Sequence, residues 1–183
     1  MKTSFESVLK DRNRIYLEPK QGQAQPAAVF SVAFVLLENF SMMAFTGAVD
    51  AIVTANLLSR NPLYRFQAVS LEGSAVLSDL GISIAADADL NSLDATDLDI
   101  LIVCGGYRSD LSPPRAVLER LKGIARKGAT MGSLWNGSCV LAKAGLLDGY
   151  ACTVHPESRA GLEESCPRVK LLPTPFVIDR DRI

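Results

Sequence analysis

Segments of strand length alternate with stretches of helical periodicity through most of the chain. Buried strands are predicted where apolar residues run together, over 30–37, 98–104 and 129–134, and a half-buried strand where they alternate, over 63–71. Apolar residues at helical spacing predict helices over 42–60, 113–127 and 138–144, with Ser41 as the N-cap of the first. Strands that alternate with helices are typical of a parallel sheet. We therefore expect an α/β fold, a three-layer sandwich with a mainly parallel sheet.

The remaining segments are shorter and less regular. Residues 1–28 have weak periodicity and a Gln/Gly/Ala/Pro stretch, which predicts either a mobile tail or a partner-binding arm. One domain is then expected over 29–183. Within it the pattern predicts an edge strand or hairpin arm over 82–86, a brief acidic helix over 88–97, strands over 150–154, 169–172 and 176–178, and a helix over 156–165.

Two of the predicted strands end abruptly in glycine. The first ends at Gly105 and Gly106, and the second is followed by a tight turn, Trp135–Asn136–Gly137, and then a helix. Ligands of parallel sheets bind in the crevice beyond the carboxyl ends of the strands. We therefore expect both turns to lie in one pocket, with backbone N–H groups available to a carboxylate.

Composition narrows the classes of function. The 183 residues carry a formal net charge of −1, and no block of like charges predicts a nucleic-acid surface. Four cysteines without CxxC spacing indicate reduced thiols of a cytoplasmic protein. A single histidine makes a transition-metal site unexpected, and no cofactor motif is present. Neither a secretory signal nor an apolar run of membrane-span length, about 18 residues, is found.

The turn at Trp135 has the form of a nucleophile elbow, residue–x–Gly between a strand and a helix. Enzymes place a serine or cysteine there, but an indole cannot act as nucleophile, acid or base. Trp135 is either a core aromatic or one wall of a pocket for a cationic or apolar ligand. Phe40, Phe45 and Tyr107 are candidates for the same wall.

Two further residues allow two interpretations each. Cys139, in the first turn of the following helix, is either a reactive thiol or a small buried hydrophobic residue. His155 follows a short strand and precedes a proline. It is either a structural histidine bonded to a backbone carbonyl or a donor to a ligand in the pocket.

The residues of the elbow region resemble a known family. The run LWNGSCVLAKAGLLDG over 134–149, with Thr-Val-His ending at His155, resembles the amidase-like, PfpI-type domain at the front of AraC-type transcriptional regulators, the GlxA-like group. The opening FVLLENFSMMAF, the VCGG loop at Gly105 and Gly106, and the Pro-Arg-Val segment at 167–169 also fit. The resemblance covers the chain from about Phe30 and implies a flavodoxin-like, class I glutamine amidotransferase-like fold.

The resemblance also implies a function. Enzymes of the family carry a cysteine at the position of Trp135 and an acid near Ala44, so only His155 of the three matches here. In the regulators the old active site senses a small molecule, and a helix-turn-helix domain, expected beyond this chain, binds DNA. Some relatives respond to arginine, betaine or carnitine-like compounds. An amino-acid or quaternary-ammonium effector is therefore implied, with candidate ligand contacts at Gly105, Gly106, Tyr107, Trp135, Asn136, His155 and Phe45.

Three functions follow from these interpretations. The first is an effector-binding sensor domain that forms a homodimer and lacks catalytic residues. The second is a cysteine-dependent hydrolase or glyoxalase-like enzyme using Cys139 or Cys104. The third is a dimerisation module whose pocket Trp135 fills. The end of the chain directly after a predicted strand leads us to expect that a longer protein continues beyond Ile183.

Overall fold

The computed structural model describes residues 29–59 and 62–183, so the predicted tail over 1–28 lies outside the described residues. Nine strands and four helices follow one another within them, numbered here in chain order. They are β1 (Phe30–Leu36), α1 (Met42–Leu58), β2 (Tyr64–Ser70), β3 (Ala75–Leu77), β4 (Ser83–Ala85), β5 (Ala88–Asp89), β6 (Ile100–Cys104), α2 (Arg115–Arg126), β7 (Thr130–Leu134), α3 (Ser138–Lys143), β8 (Ala151–Cys152), α4 (Pro156–Ser165) and β9 (Lys170–Leu171).

A parallel five-stranded sheet forms the centre, in the order β5-β2-β1-β6-β7. The central strand β1 is buried on both faces, which explains its continuous apolar sequence. On one face Val32, Phe34 and Leu36 pack against α1. On the other, Ala33 and Val35 belong to a second cluster that includes residues of α2, α3 and α4. The predicted three-layer α/β architecture is confirmed.

Two smaller sheets complete the fold. Strands β3 and β4 form an antiparallel hairpin, which confirms the predicted hairpin arm. Strands β8 and β9 pair in parallel, apart from the central sheet. The last residues run beside β7: Met131 donates its N–H to the Asp181 carbonyl oxygen at 3.2 Å, and Ile183 donates to the Met131 carbonyl oxygen at 3.1 Å.

The structure corrects three local predictions. Residues 88–97 form no helix: β5 pairs with β2, and the Asp89 carboxylate then accepts the N–H groups of Asn91 and Ser92 in a turn. No strand forms over 176–178, since Pro173 and Pro175 just before it lack the N–H that a ladder needs. The strand predicted over 150–154 is only Ala151–Cys152.

The first helix begins where the sequence predicts, and its described part ends two residues before the predicted end at residue 60. Ser41 is the N-cap of α1, and its hydroxyl accepts the Ala44 N–H at 3.5 Å. The helix ends at Leu58, and Arg60 lies outside the described residues. None of the helices described has both the length and the apolar character needed to cross a bilayer.

Candidate functional site

The elbow after β7 is built by close backbone contacts. The Leu134 carbonyl oxygen accepts the N–H groups of Gly105 at 3.2 Å and Gly137 at 3.0 Å. Trp135 has φ of +62°, a left-handed conformation that is unfavourable for a bulky side chain. A Cβ on Gly137 would lie 2.9 Å from the Val103 carbonyl carbon, so only glycine fits there. This geometry directs one side chain, Trp135, out of the strand end.

The Gly105–Gly106 turn lies directly beside the elbow, where it packs against the backbone of the elbow and of the residues before α1. The Gly105 carbonyl oxygen accepts the Ser41 N–H at 2.9 Å, and the Gly106 carbonyl oxygen accepts Asn136 Nδ2 at 2.9 Å. A Cβ on Gly106 would lie 2.7 Å from the Ser41 nitrogen. The N–H groups of Gly105 and Gly137 donate to Leu134, so these two are not available to a carboxylate, and the cradle at the glycine turn stays a prediction.

Trp135 and His155 form a stacked pair. Their ring centroids are 3.9 Å apart and the ring planes differ by 7°. His155 immediately precedes α4 as its N-cap residue, without a side-chain capping hydrogen bond. Its Nδ1 is buried, has no hydrogen-bond partner among the described residues, and lies 3.8 Å from Glu157 Oε2. The fold thus brings the only histidine of the chain against the elbow residue.

A cavity of about 720 Å³ lies beside this pair. This volume falls within the range of small-molecule sites, about 300–1,000 Å³. Its wall combines the end of β7, the β8 strand, the start of α4, the 172–178 segment and the last two residues. Trp135, His155 and Phe176 are its aromatic members, and Ser133, Thr153 and Thr174 carry hydroxyl groups.

The other predicted contacts lie outside this wall. Phe45 is 4% exposed and belongs to α1, where its ring contacts Phe34 and Phe40 edge-on at 5.5 Å each, in the core on the α1 face. Tyr107 is 67% exposed, and Asn136 is buried beneath the elbow. The single pocket expected for both turns is therefore corrected: the cavity adjoins Trp135 and His155 but not Gly105, Gly106, Tyr107, Asn136 or Phe45.

Sequence reasoning missed the wall on the far side of the cavity. Arg159, Thr174 and Phe176 belong to it, yet none follows a strand of the central sheet. The 172–178 segment reaches the cavity because Thr153 Oγ1 donates to the Thr174 carbonyl oxygen at 2.6 Å. Closely spaced prolines at 173 and 175 were the available signal that this segment is an irregular loop.

The buried thiols are held in the neutral form. Burial raises the pKa of Cys104 well above its ordinary range, that of Cys152 to about 11, and that of Cys139 in the same direction. Thiolate is the nucleophilic form of cysteine, so these environments disfavour nucleophilic chemistry. Among the residues that the structure describes, no three His, Cys, Asp or Glu side chains are grouped to hold a metal ion.

Comparison with known proteins agrees with this fold. The DJ-1/PfpI family model matches residues 31–181. The HTH-type transcriptional regulator GbdR of Pseudomonas aeruginosa is 41% identical over 152 residues, covering 83% of this chain and 41% of GbdR. The regulator GlxA of Rhizobium meliloti is 32% identical over 148 residues, covering 81% of this chain and 45% of GlxA. This chain thus spans less than half the length of these two relatives.

Solved structures give the same result. An AraC family transcriptional regulator from Pseudomonas putida superposes with a TM-score of 0.76 at 44% identity, covering 84% of this chain and 81% of that one. The resemblance to GlxA-like, AraC-type regulators and the flavodoxin-like fold are both confirmed. From its fold, its elbow and these matches, the chain belongs to the DJ-1/PfpI family, and the relatives that it resembles here are transcriptional regulators.

Proposed function

We propose that this chain is the effector-sensing domain of a transcriptional regulator and that its effector binds in the cavity beside Trp135 and His155. The observation that carries the proposal is the indole of Trp135 at the elbow, next to a cavity of about 720 Å³. A side chain without nucleophilic or acid–base chemistry lines a space large enough for a metabolite. Such a site can bind a ligand without transforming it.

The chemistry of the thiols argues against the enzyme alternative. A cysteine hydrolase needs a thiolate beside a base. Cys139 is 5% exposed and Cys104 is 1% exposed, and burial raises the pKa of both. His155 is stacked on Trp135 rather than placed beside a nucleophile at the elbow. The relatives named above carry the names of regulators, in agreement with a binding role.

The size of the cavity argues against a purely structural module. If Trp135 filled the former active site, little volume would remain beside it. The cavity instead extends from Trp135 to Phe176 and Ile178 under the 172–178 segment. Its aromatic wall suits an amino-acid or quaternary-ammonium effector, because aromatic rings attract cations and pack against methyl groups.

The remaining parts of the proposal concern the whole protein. We propose that a helix-turn-helix domain in a longer chain binds DNA in the cytoplasm. We also propose that the effector-sensing domain described here forms a homodimer. The relatives support a separate DNA-binding part, since they are named as HTH-type regulators and are more than twice as long as the matched region. Occupancy of the cavity would then change the affinity of the dimer for its operator.

Ligand titration of the 183-residue chain tests the site directly. Trp135 is the only tryptophan, so its fluorescence reports on the cavity when glycine betaine, L-carnitine and L-arginine are added. For the compound that binds, we expect Trp135→Ala to weaken binding at least tenfold by calorimetry, because the aromatic face is lost, while the domain stays folded.

Tyr107→Ala is the matched control, since Tyr107 is an exposed aromatic outside the cavity. It should bind as the unaltered chain does. Equal affinity of Trp135→Ala and the unaltered chain would contradict the proposed site. Hydrolysis of an ester or amide that stops when one cysteine is replaced would contradict the sensor function itself.

A further inference from the structure

The charged side chains of the cavity wall are both guanidinium groups. They belong to Arg159 and Arg182, the wall also contains the imidazole of His155, and no Asp or Glu side chain of the described residues belongs to it. The acidic neighbours of these side chains, Glu157, Glu163 and Asp181, lie outside the wall. A ligand that is only a cation would therefore find no carboxylate side chain on the wall itself to pair with.

The two arginines differ in what they can offer. Arg182 donates through Nε to the Leu146 carbonyl oxygen at 2.9 Å and through Nη1 to both the backbone and the carboxylate of Asp181. Its side chain is 11% exposed. Arg182 thus ties the end of the chain to the loop after α3, and its role is structural.

Arg159 is held in place but keeps donors for a ligand. Nε donates to Glu163 Oε1 at 3.0 Å and Nη2 donates to the Leu171 carbonyl oxygen at 3.2 Å. A guanidinium carries five N–H donors, and the described contacts involve neither hydrogen of Nη1. The side chain is 37% exposed, and it lies in the first turn of α4, one turn after His155.

We propose that Arg159 is the residue that binds the carboxylate of the effector, with the rest of the molecule against Trp135 and Phe176. This rests on the proposed function, since it assigns the group that would hold an effector in the same cavity. Guanidinium and carboxylate form short, charge-assisted hydrogen bonds with defined geometry. A carboxylate that leaves water for this largely apolar space needs such a partner.

A monocarboxylate fits the site better than a phosphate. Arg159 is already paired with Glu163 at 3.0 Å, so the site holds too little net positive charge for a dianion, whereas a monocarboxylate needs only the free N–H groups of Nη1. The hydroxyl groups of Thr153 and Thr174 already donate to backbone carbonyl oxygens, and the wall has no glycine-rich loop or second available guanidinium for a dianion. Apolar side chains dominate the rest of the wall, as expected for a ligand with a small apolar or methylated body.

Matched pairs of small molecules test the carboxylate directly in the 183-residue chain. Glycine betaine is compared with choline, and butyrate with butyramide, with inorganic phosphate as a separate arm, using Trp135 fluorescence and thermal shift. We expect the carboxylate of at least one pair to bind at least tenfold more tightly than its partner. Arg159→Gln should abolish that preference, and Arg159→Lys should restore part of it.

Arg115→Gln is the control, because Arg115 is exposed on α2, away from the cavity. Equal binding within both pairs, a preference for phosphate, or a carboxylate preference that survives Arg159→Gln would each overturn the inference. Choline binding that depends on Trp135 would leave the proposed sensor site standing. Absence of any carboxylate binding across the panel would also count against the inference.

A ligand-free measurement separates the two proposals further. Each quenching constant is divided by that of free N-acetyltryptophanamide, since the two ions quench indole with different intrinsic efficiency. The normalised value for iodide should exceed that for caesium, because the guanidinium groups of the wall attract the anion. Arg159→Gln should reduce that difference, whereas Arg115→Gln should not. Equal normalised values on the unaltered chain would overturn the positive character of the site without bearing on whether a metabolite binds.

Discussion

At the scale of single residues, the elbow combines an unfavourable conformation with an irreplaceable glycine. Trp135 adopts φ of +62°, which costs about 1–3 kcal/mol for a side chain of this kind. The hydrogen bonds to Leu134 and the stacking on His155 hold it there. Gly137 has an ordinary φ of −58°, so what it requires is space and not conformational freedom.

Gly137→Ala therefore should destabilise the domain by more than about 2 kcal/mol, because the new Cβ overlaps the backbone of Val103. Urea unfolding of the variant and the unaltered chain measures this. Gly161→Ala is the matched control: it adds the same methyl group in the middle of α4, where nothing lies within 4 Å, and should stabilise by about 0.5–1 kcal/mol. Equal effects of the two substitutions would contradict the packing argument.

At the scale of elements, one polar side chain connects α1 to β2. Asn56 Nδ2 donates to the Tyr64 carbonyl oxygen at 2.8 Å, and its Oδ1 accepts the N–H groups of Leu63 and Tyr64 at 2.8 and 2.9 Å. The last turns of α1 are thereby tied to the first residues of the neighbouring strand. The same amide satisfies backbone groups of Leu63 and Tyr64 at the start of β2.

Asn56→Ala should lower the free energy of unfolding by about 1–3 kcal/mol, since three backbone groups lose their partner. The higher helix propensity of alanine offsets only about 0.5 kcal/mol of this loss. Asn91→Ala, at an exposed turn, is the control and should change stability by less than about 0.5 kcal/mol. A chemical denaturation series on both variants decides, and similar small values for both would show that Asn56 does not connect the two elements.

At the scale of the whole molecule, ionisable groups limit stability at both ends of the pH range. Hydrogen bonds from backbone and side-chain donors lower the pKa of Asp89, Asp94, Asp179 and Asp181. Their contribution is present above the ordinary carboxylate pKa, about 3.9, and is lost as pH falls through the lowered values. Buried thiols affect stability at the alkaline end instead, because burial raises the pKa of Cys152 from 9.0 to about 11.

The domain should therefore be most stable between about pH 5 and about pH 8. Below pH 9.0, the ordinary thiol pKa, Cys152 is neutral in both the folded and the unfolded chain. Above it the thiol of the unfolded chain ionises first, so the free energy of unfolding falls as pH rises towards about 11. Urea midpoints across the pH range measure this. The alkaline decrease should be smaller in Cys152→Ala, and an unchanged decrease would show that this thiol does not contribute.

The sequence by itself determined the layers, the parallel sheet and the elbow, because these depend on local patterns. Both faces of β1 and β6 are covered, which requires apolar residues at successive positions, and that pattern is visible in 30–37 and 98–104. The strand–turn–helix at Trp135 depends on neighbouring residues and a single glycine. That a tryptophan occupies the tip of this turn is likewise evident from the sequence alone.

Only the tertiary structure decided which side of the elbow is open. Residues 88–97 and 176–178 took other structures than predicted, because Asp89 bonds its own turn and prolines interrupt the second segment. Arg159 and Phe176 line the same cavity as Trp135 because the β8–β9 sheet and the hydrogen bond from Thr153 to the 172–178 loop place them there. Contacts between segments that are distant in sequence leave no periodic signal, so the residues of the cavity wall could not be predicted from the sequence. For the same reason Phe45 was predicted to contact the ligand, whereas it is buried in the core.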